Sequence, residues 1–448
     1  MKRKTIFWMS LLTLMFMMAC AQFITQDIFQ TPVSMAPVHI AKPTYTPTPK
    51  PTATPTVKPP FQQTKIELVT DKAVIGDGGN SWGGHQTRIV HTKDGIFTAY
   101  TIEGIDHLNR KWNLAERQAN GTWTVIANGR AGREPVNLLA SPDGTLHIIG
   151  WPDGVGTLWS GKPDNGRLAM TATAIPNMIT GYWPYNSAGI DADGDLCVIS
   201  SFGGSGPGGR FNWACYLPSE KKWVTRTDKL DYRFAYTYVF PGPQGQLSLV
   251  ATRDVLWQGL GYQIPPGVAG YVFNAFGYWR TDDVSKIPLK RDYLLEEKQT
   301  SQFPYVIVNA QEDAYIDTKG LTHVLYHVQG ESTQGALISR HAIISPDGKL
   351  LFDGPLPETA GYYSRIFQDQ EGQFYLLNSS GLLYPMGPYG ILTETPFKLD
   401  LGGYHVDPSG FGLSVPRTGT PLSNVMDVVF PSGNGTQWLY FRLDFSNP

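Results

Sequence analysis

Ser141-Pro142-Asp143-Gly144-Thr145-Leu146-His147 and, about fifty residues on, Asp191-Ala192-Asp193-Gly194-Asp195-Leu196-Cys197 share one pattern. An acidic turn closes on glycine and a strand of apolar and β-branched residues follows, which is the signature of a hairpin. Further copies are His91-Thr92-Lys93-Asp94-Gly95-Ile96-Phe97, Gly242-Pro243-Gln244-Gly245-Gln246-Leu247, Asp317-Thr318-Lys319-Gly320-Leu321-Thr322-His323 and Gln368-Asp369-Gln370-Glu371-Gly372-Gln373-Phe374. A seventh and weaker copy is Asp407-Pro408-Ser409-Gly410-Phe411.

A spacing near 50 residues is the length of one four-stranded antiparallel blade. Such a sheet is apolar on both faces and cannot bury both alone, so copies stack around an axis until the ring closes. The pattern therefore predicts an all-β protein, a β-propeller of seven blades, with six as the second count because residues 403–445 are irregular. The longer step between Gly245 and Gly320 predicts an insertion around Trp257 to Gly270. Thr64 to Val69 has strand character ahead of the first copy, and is expected to close the ring by joining the last blade.

Outward from the repeats, the chain divides into three parts. Lys2, Arg3 and Lys4 precede an apolar run from Ile6 to Met18, too short for a membrane span and typical of an export signal over residues 1–19. Met17-Met18-Ala19-Cys20 resembles the lipobox of bacterial lipoproteins. The resemblance implies acylation of Cys20 and a protein exported and held to the membrane by lipid alone. Residues 20–61 are a Pro/Thr-rich tether, with Thr44-Tyr45-Thr46-Pro47-Thr48-Pro49-Lys50-Pro51 at its centre, which cannot keep a hydrogen-bond ladder. At about 3.1 Å per residue such a stalk reaches roughly 120 Å. Residues 62–448 are the propeller.

The 448-residue chain has 48 Gly, 34 Pro, 22 Tyr and 12 Trp, and a formal charge of −2 that gives no reason to expect a nucleic acid partner. It is expected to act as a monomer without a cofactor. Of three cysteines, Cys197 and Cys215 lie symmetrically about the Gly203 to Gly209 turn, where they can face each other as a disulfide or as two buried thiols. That turn lacks the Lys-Ser/Thr of a phosphate loop. His323 and His327 would stand about 13 Å apart on a strand, too far to share a metal.

In a propeller the loops entering the innermost strands converge on one mouth of the axial channel, and that geometry selects the candidate residues. They are His85, Gln86 and Arg88; Glu134 and Asn137; Tyr182, Trp183, Tyr185 and Asn186; Arg233, Tyr236 and Tyr238; Asp313 and Tyr315; Tyr362, Tyr363 and Arg365; and Tyr404 and His405, with Arg253 and Asp254 behind them. Aromatic faces stack on the C–H groups of sugar rings, while Arg and Asn read hydroxyls and carboxylates. The inventory points to a polysaccharide or glycan partner. A uronate lyase would draw its base from His85, Tyr185 or Tyr236 and its cation from Arg88 or Arg233. A glycoside hydrolase would need a carboxyl pair, for which Glu134 and Asp313 are best placed, with Asp254 behind them. Scarce inward carboxylates favour elimination, with a non-catalytic binding module as the alternative. Catalysis requires His85, Tyr185, Arg233 and Asp313 to meet in one pocket.

The turns and the strands after them, such as Leu321-Thr322-His323-Val324-Leu325-Tyr326, resemble those of the sialidase-like and BNR-repeat propeller families, which include carbohydrate hydrolases and lyases. The resemblance implies the fold over residues 62–448 and a carbohydrate-active role. The sialidase Asp box has a residue between Asp and Gly and a later Trp. Ser141-Pro142-Asp143-Gly144 has neither, so sialidase activity does not follow.

Overall fold

The computed structural model describes residues 59–74, 78–164, 166–204, 206–360, 363–387, 392, 395–406, 412–417, 422–432 and 436–446. The export signal, Cys20, nearly all of the tether, Tyr362 and the Asp407 to Phe411 copy lie outside them. The compact unit is Pro60–Pro448.

It is a seven-bladed β-propeller. Six blades are consecutive four-stranded antiparallel sheets over 89–132, 137–179, 187–230, 234–296, 307–355 and 365–398. The seventh joins the two ends of the chain. Strands Val425–Pro431 and Trp438–Asp444 pair with each other, and Trp438–Asp444 takes Gln62–Gln63 and Glu67–Thr70 on its other side. Ser414 exchanges both backbone hydrogen bonds with Val429, so 412–417 is the inner strand of this blade. The Asp407 to Phe411 copy precedes this strand in sequence and lies outside the described residues. Closure by the N-terminal strand removes the exposed edge that Trp438–Asp444 would otherwise present.

Three of the repeated turns, those beginning at Asp191, Asp317 and Asp369, share one construction. In Asp191 to Asp195, the Asp191 carboxylate accepts the backbone N–H of Asp193 at 2.9 Å and of Asp195 at 2.8 Å. Asp317 does the same for Lys319 and Leu321, both at 2.8 Å. The glycine then takes φ of 86° at Gly194 and 77° at Gly320, a left-handed conformation that a Cβ would strain. This is why Asp and Gly recur three residues apart.

Alternation along each strand feeds two cores. In the third blade Leu196 and Val198 pack toward the second blade, while Cys197 and Ile199 pack toward the fourth. Each of the seven interfaces between neighbouring blades has its own cluster of buried apolar side chains. A fully buried Leu, Ile, Val or Phe in these layers contributes about 1.5–3 kcal/mol. Cys197 and Cys215 are register partners on adjacent strands and form a disulfide with a Cα–Cα distance of 4.1 Å. The insertion in the fourth blade forms its own small hairpin, Val255–Leu256 with Tyr271–Val272, over a core of Val255, Trp257, Val272 and Val306.

Candidate functional site

One end of the inner strands gathers aromatic rings and arginines from four blades. His85, on the loop into the first blade, meets the Tyr236 ring edge-on at 5.6 Å between centroids. Tyr236 meets Tyr185 at 5.4 Å, and both meet Trp82, at 6.4 and 6.2 Å. The Arg233 guanidinium lies 5.0 Å from the centre of the Tyr185 ring and 5.4 Å from that of Tyr271, on the insertion hairpin. Arg133 is sandwiched between Trp82 at 4.3 Å and Trp183 at 3.5 Å. The result is a continuous strip, Trp183, Arg133, Trp82, Tyr185, Arg233, Tyr271, whose two ends are open to solvent. Trp183 is 43% exposed and Tyr271 48%. Tyr182, 41% exposed, stands beside Trp183.

Local backbone geometry aims these rings. Tyr185 and Tyr236 both adopt left-handed φ, 43° and 55°, which costs a bulky residue of order 1–3 kcal/mol. At Tyr236 the inner strand of the fourth blade slips register between Ala235 and Tyr238. This β-bulge takes Tyr236 out of the strand's alternation and onto His85 and Tyr185. Tyr238, past the bulge, is buried and donates its hydroxyl to the Gln311 carbonyl at 2.9 Å.

A buried polar bracket holds the Tyr185 turn. Glu134 accepts from the backbone N–H of Tyr185 at 3.2 Å and of Asn186 at 3.3 Å, and from the Asn186 side chain at 2.9 Å. The Asn186 side-chain oxygen in turn accepts from Asn137 at 2.7 Å and Gln86 at 3.2 Å. Burial pushes the Glu134 carboxyl up to about 7, against the opposing pull of Arg133 and the bonds it accepts. The same device recurs three blades on, where Glu312 accepts from the backbone N–H groups of Tyr363 and Ser364 and pairs with His327.

His85 is nine-tenths buried. Its Nε2 lies 3.1 Å from the Asn186 carbonyl, an acceptor, so Nε2 carries the proton and Nδ1 the lone pair. Burial, reinforced by Arg88 and Arg365, pushes its pKa down to about 3, so the ring is neutral at any ordinary pH. Burial raises the phenols of Tyr185 and Tyr236 above their usual value, keeping both protonated. The space between Trp82, His85, Gln86, Glu134 and Tyr185 is filled by those side chains and has no volume for a water molecule.

His85, Tyr185 and Arg233 therefore meet, and Asp313 does not. Asp313 is fully buried, accepting from the Ile366 N–H at 2.8 Å and ion-pairing with Arg417. Several other expected substrate contacts are also elsewhere. Arg88 donates to the carbonyls of Asn80 and Gly412, and Arg365 to those of Leu413, Glu312, Ser364 and Gly84, so both arginines tie loops together. Arg253 is buried under Tyr232 and Phe234, with Glu296 at 2.5 Å. Tyr315 lies at the far end of its strand beside the repeated turn, and His405 is exposed next to Val406, which bridges Ser432. Asp254 is held by Arg233 at 2.6 Å. The sequence reading missed Trp82, Arg133, Tyr271 and Phe273, the last meeting the Tyr236 ring edge-on at 5.9 Å. The signal for the first two was adjacency, since each lies within three residues of a chosen position, while the others are in the insertion.

No protein-family model and no curated protein matches the chain. Among solved structures, the polysaccharide lyase Uly1 superposes with a TM-score of 0.50 at 11% identity, covering 85% of this chain and 99% of its own. The WD40 domain of Toxoplasma gondii coronin gives 0.49 at 10%, covering 87% of each chain. The GH93 α-L-arabinofuranosidase of Fusarium graminearum gives 0.43 at 8%, covering 69% of this chain and 91% of its own. The likeness to the first of these shows the propeller fold alone, which unrelated functions share.

Proposed function

We propose that this protein is a carbohydrate-active propeller that engages a polysaccharide across the mouth formed by Trp82, His85, Tyr185 and Tyr236. The observation that carries the reading is the aromatic and arginine strip from Trp183 to Tyr271, open at both ends. A chain of sugar rings stacks on the exposed aromatic faces at the two ends of such a strip, while Arg133 and Arg233, buried and paired with Glu134 and Asp254, hold the rings in place.

Elimination is the chemistry the inventory favours. The neutral His85 offers Nδ1 as the base for a proton next to a sugar carboxylate, and protonated Tyr236, in ring contact with it, offers a proton to the leaving oxygen. Arg233, beside Tyr185, is the cation nearest this pair, and its ion pair with Asp254 must loosen for it to face the developing charge. Hydrolysis is disfavoured because Glu134, Asp254 and Asp313 are each committed to internal partners. One observation favours the alternative of binding without catalysis: the filled space around His85 admits no reacting group without displacement of Trp82 or Tyr185.

The test is incubation of the chain with a panel of neutral and uronate-containing polysaccharides. Ultraviolet absorbance of an unsaturated uronate supports elimination, reducing ends without it support hydrolysis, and retention without either supports binding alone. Trp183→Ala is expected to weaken retention about three- to tenfold. No retention of any polysaccharide would sink the reading. We further propose that acylated Cys20 anchors the protein outside the cytoplasm with the tether as a stalk. Metabolic labelling with a radioactive fatty acid, lost in Cys20→Ala, tests this.

A further inference from the structure

At the opposite end of the inner strands, beside the repeated turns, lies a cavity of about 290 Å³. Inner strands of the fourth, fifth and sixth blades contribute Phe240, Tyr315, Phe367 and Gln368 to its wall, and Thr318 and Ser423 add hydroxyls. Its size is at the lower end of ordinary small-molecule sites, about 300–1,000 Å³, and its mixture of apolar faces with a few convergent polar groups is typical of them.

The charges in the wall are already answered. Arg417 pairs with Asp313, donates to the Ile366 carbonyl at 3.0 Å and lies over the Tyr315 ring at 5.6 Å. Asp317 is held by the N–H groups of its own turn and by His323 at 3.5 Å. His91 sits 3.0 Å from Asp427. A charged ligand would therefore meet no unmatched partner and would lose its hydration without return.

The neutral groups are differently placed. The Gln368 oxygen accepts from the Tyr315 hydroxyl at 3.4 Å and the Thr318 N–H at 3.2 Å, and its nitrogen donates to the Thr318 hydroxyl at 3.5 Å. The two bonds to the Tyr315 and Thr318 hydroxyls are long and weak, so a ligand hydroxyl can replace them at little cost. Phe240, Tyr315 and Phe367 give the wall its apolar share, against which the C–H groups of a saturated ring can pack.

We infer that this cavity is a second binding site, for a neutral sugar of one or two rings, separate from the mouth at His85. The experiment uses the full chain and saturation-transfer NMR with glucose, galactose, arabinose and their disaccharides, with glucuronate and adenosine as charged and flat-ring controls. At least one neutral sugar is expected to bind saturably in the millimolar range, about tenfold more weakly in Gln368→Ala. Trp82→Ala, which impairs the mouth, is expected to retain binding in the cavity, and adding Ser423→Trp, which fills the cavity, is expected to abolish that retained binding. Circular dichroism checks that each variant is folded. The inference is overturned if no neutral sugar saturates by about 50 mM. It is equally overturned if, in the Trp82→Ala chain, glucuronate or adenosine binds more tightly than every neutral sugar, or if binding survives Ser423→Trp but is lost in Trp82→Ala.

Discussion

The side chain of Glu134 crosses from the second blade to the third and accepts the backbone N–H of Tyr185 at 3.2 Å, fixing a tyrosine whose φ of 43° is left-handed. The recurrence of this bracket at Glu312 with Tyr363 and Ser364 makes it a structural element of the ring. Glu134→Ala leaves two backbone N–H groups and the Asn186 amide without their acceptor. An orphaned buried donor costs about 1–3 kcal/mol, and the expected total loss is about 2–4 kcal/mol, read from the denaturant midpoint. Glu134→Gln keeps one acceptor oxygen and is expected to lose about half of that. Unchanged stability in the alanine variant would assign Glu134 to chemistry instead.

The depressed pKa of His85 carries a signed prediction. Its folded value of about 3 lies below the ordinary 6.5, so between these the unfolded chain binds the proton more readily. Stability from this group is full above about pH 6.5 and falls as pH drops toward 3, by up to a few kcal/mol. His85→Gln is expected to flatten this part of the stability curve relative to the parent, in urea titrations from pH 7 to 4. If the two curves stay parallel, His85 is not held neutral.

Glu67, on the closing N-terminal strand, receives Arg117 of the first blade at 2.6 Å and Trp123 at 3.1 Å. Deletion of 60–70 removes this clasp and bares the Trp438–Asp444 edge. The truncated chain is expected to aggregate or to unfold without a single cooperative transition, by light scattering and calorimetry. A monomeric variant with the parent's melting temperature would contradict the closure.

The Cys197–Cys215 bridge closes a short hairpin with a sequence separation of 18. For a loop of that size the chain-entropy model gives about 3 kcal/mol. Reduction, or the Cys197→Ala, Cys215→Ala double variant, is expected to lower the unfolding midpoint by about 2–3 kcal/mol. Parent and reduced proteins with the same midpoint would show that the ladder between the two strands suffices alone.

What the sequence determined by itself was the ring. A left-handed φ demands the turn glycines, and at Asp191, Asp317 and Asp369 an Asp three residues earlier caps the turn, so their spacing gave the blade length. The expected count of seven drew also on a weak copy at 407–411, outside the described residues. The symmetric placement of Cys197 and Cys215 gave their pairing as one of two outcomes, and a strand ahead of the first turn gave the closure. The inner strand of the last blade escaped because its hydrogen bonds go to Val429, distant in sequence, and no turn signature marks it. Tertiary structure alone decided the site. The bulge at Tyr236 comes from register with the next strand, and the insertion that delivers Tyr271 is placed by its own small core. Arg88, Arg365 and Asp313 look like ligand contacts in one dimension, but three-dimensional packing surrounds them with carbonyls, an amide and Arg417. A polar side chain's role depends on which partner reaches it first, and that is set by contacts between blades rather than by the local run of residues.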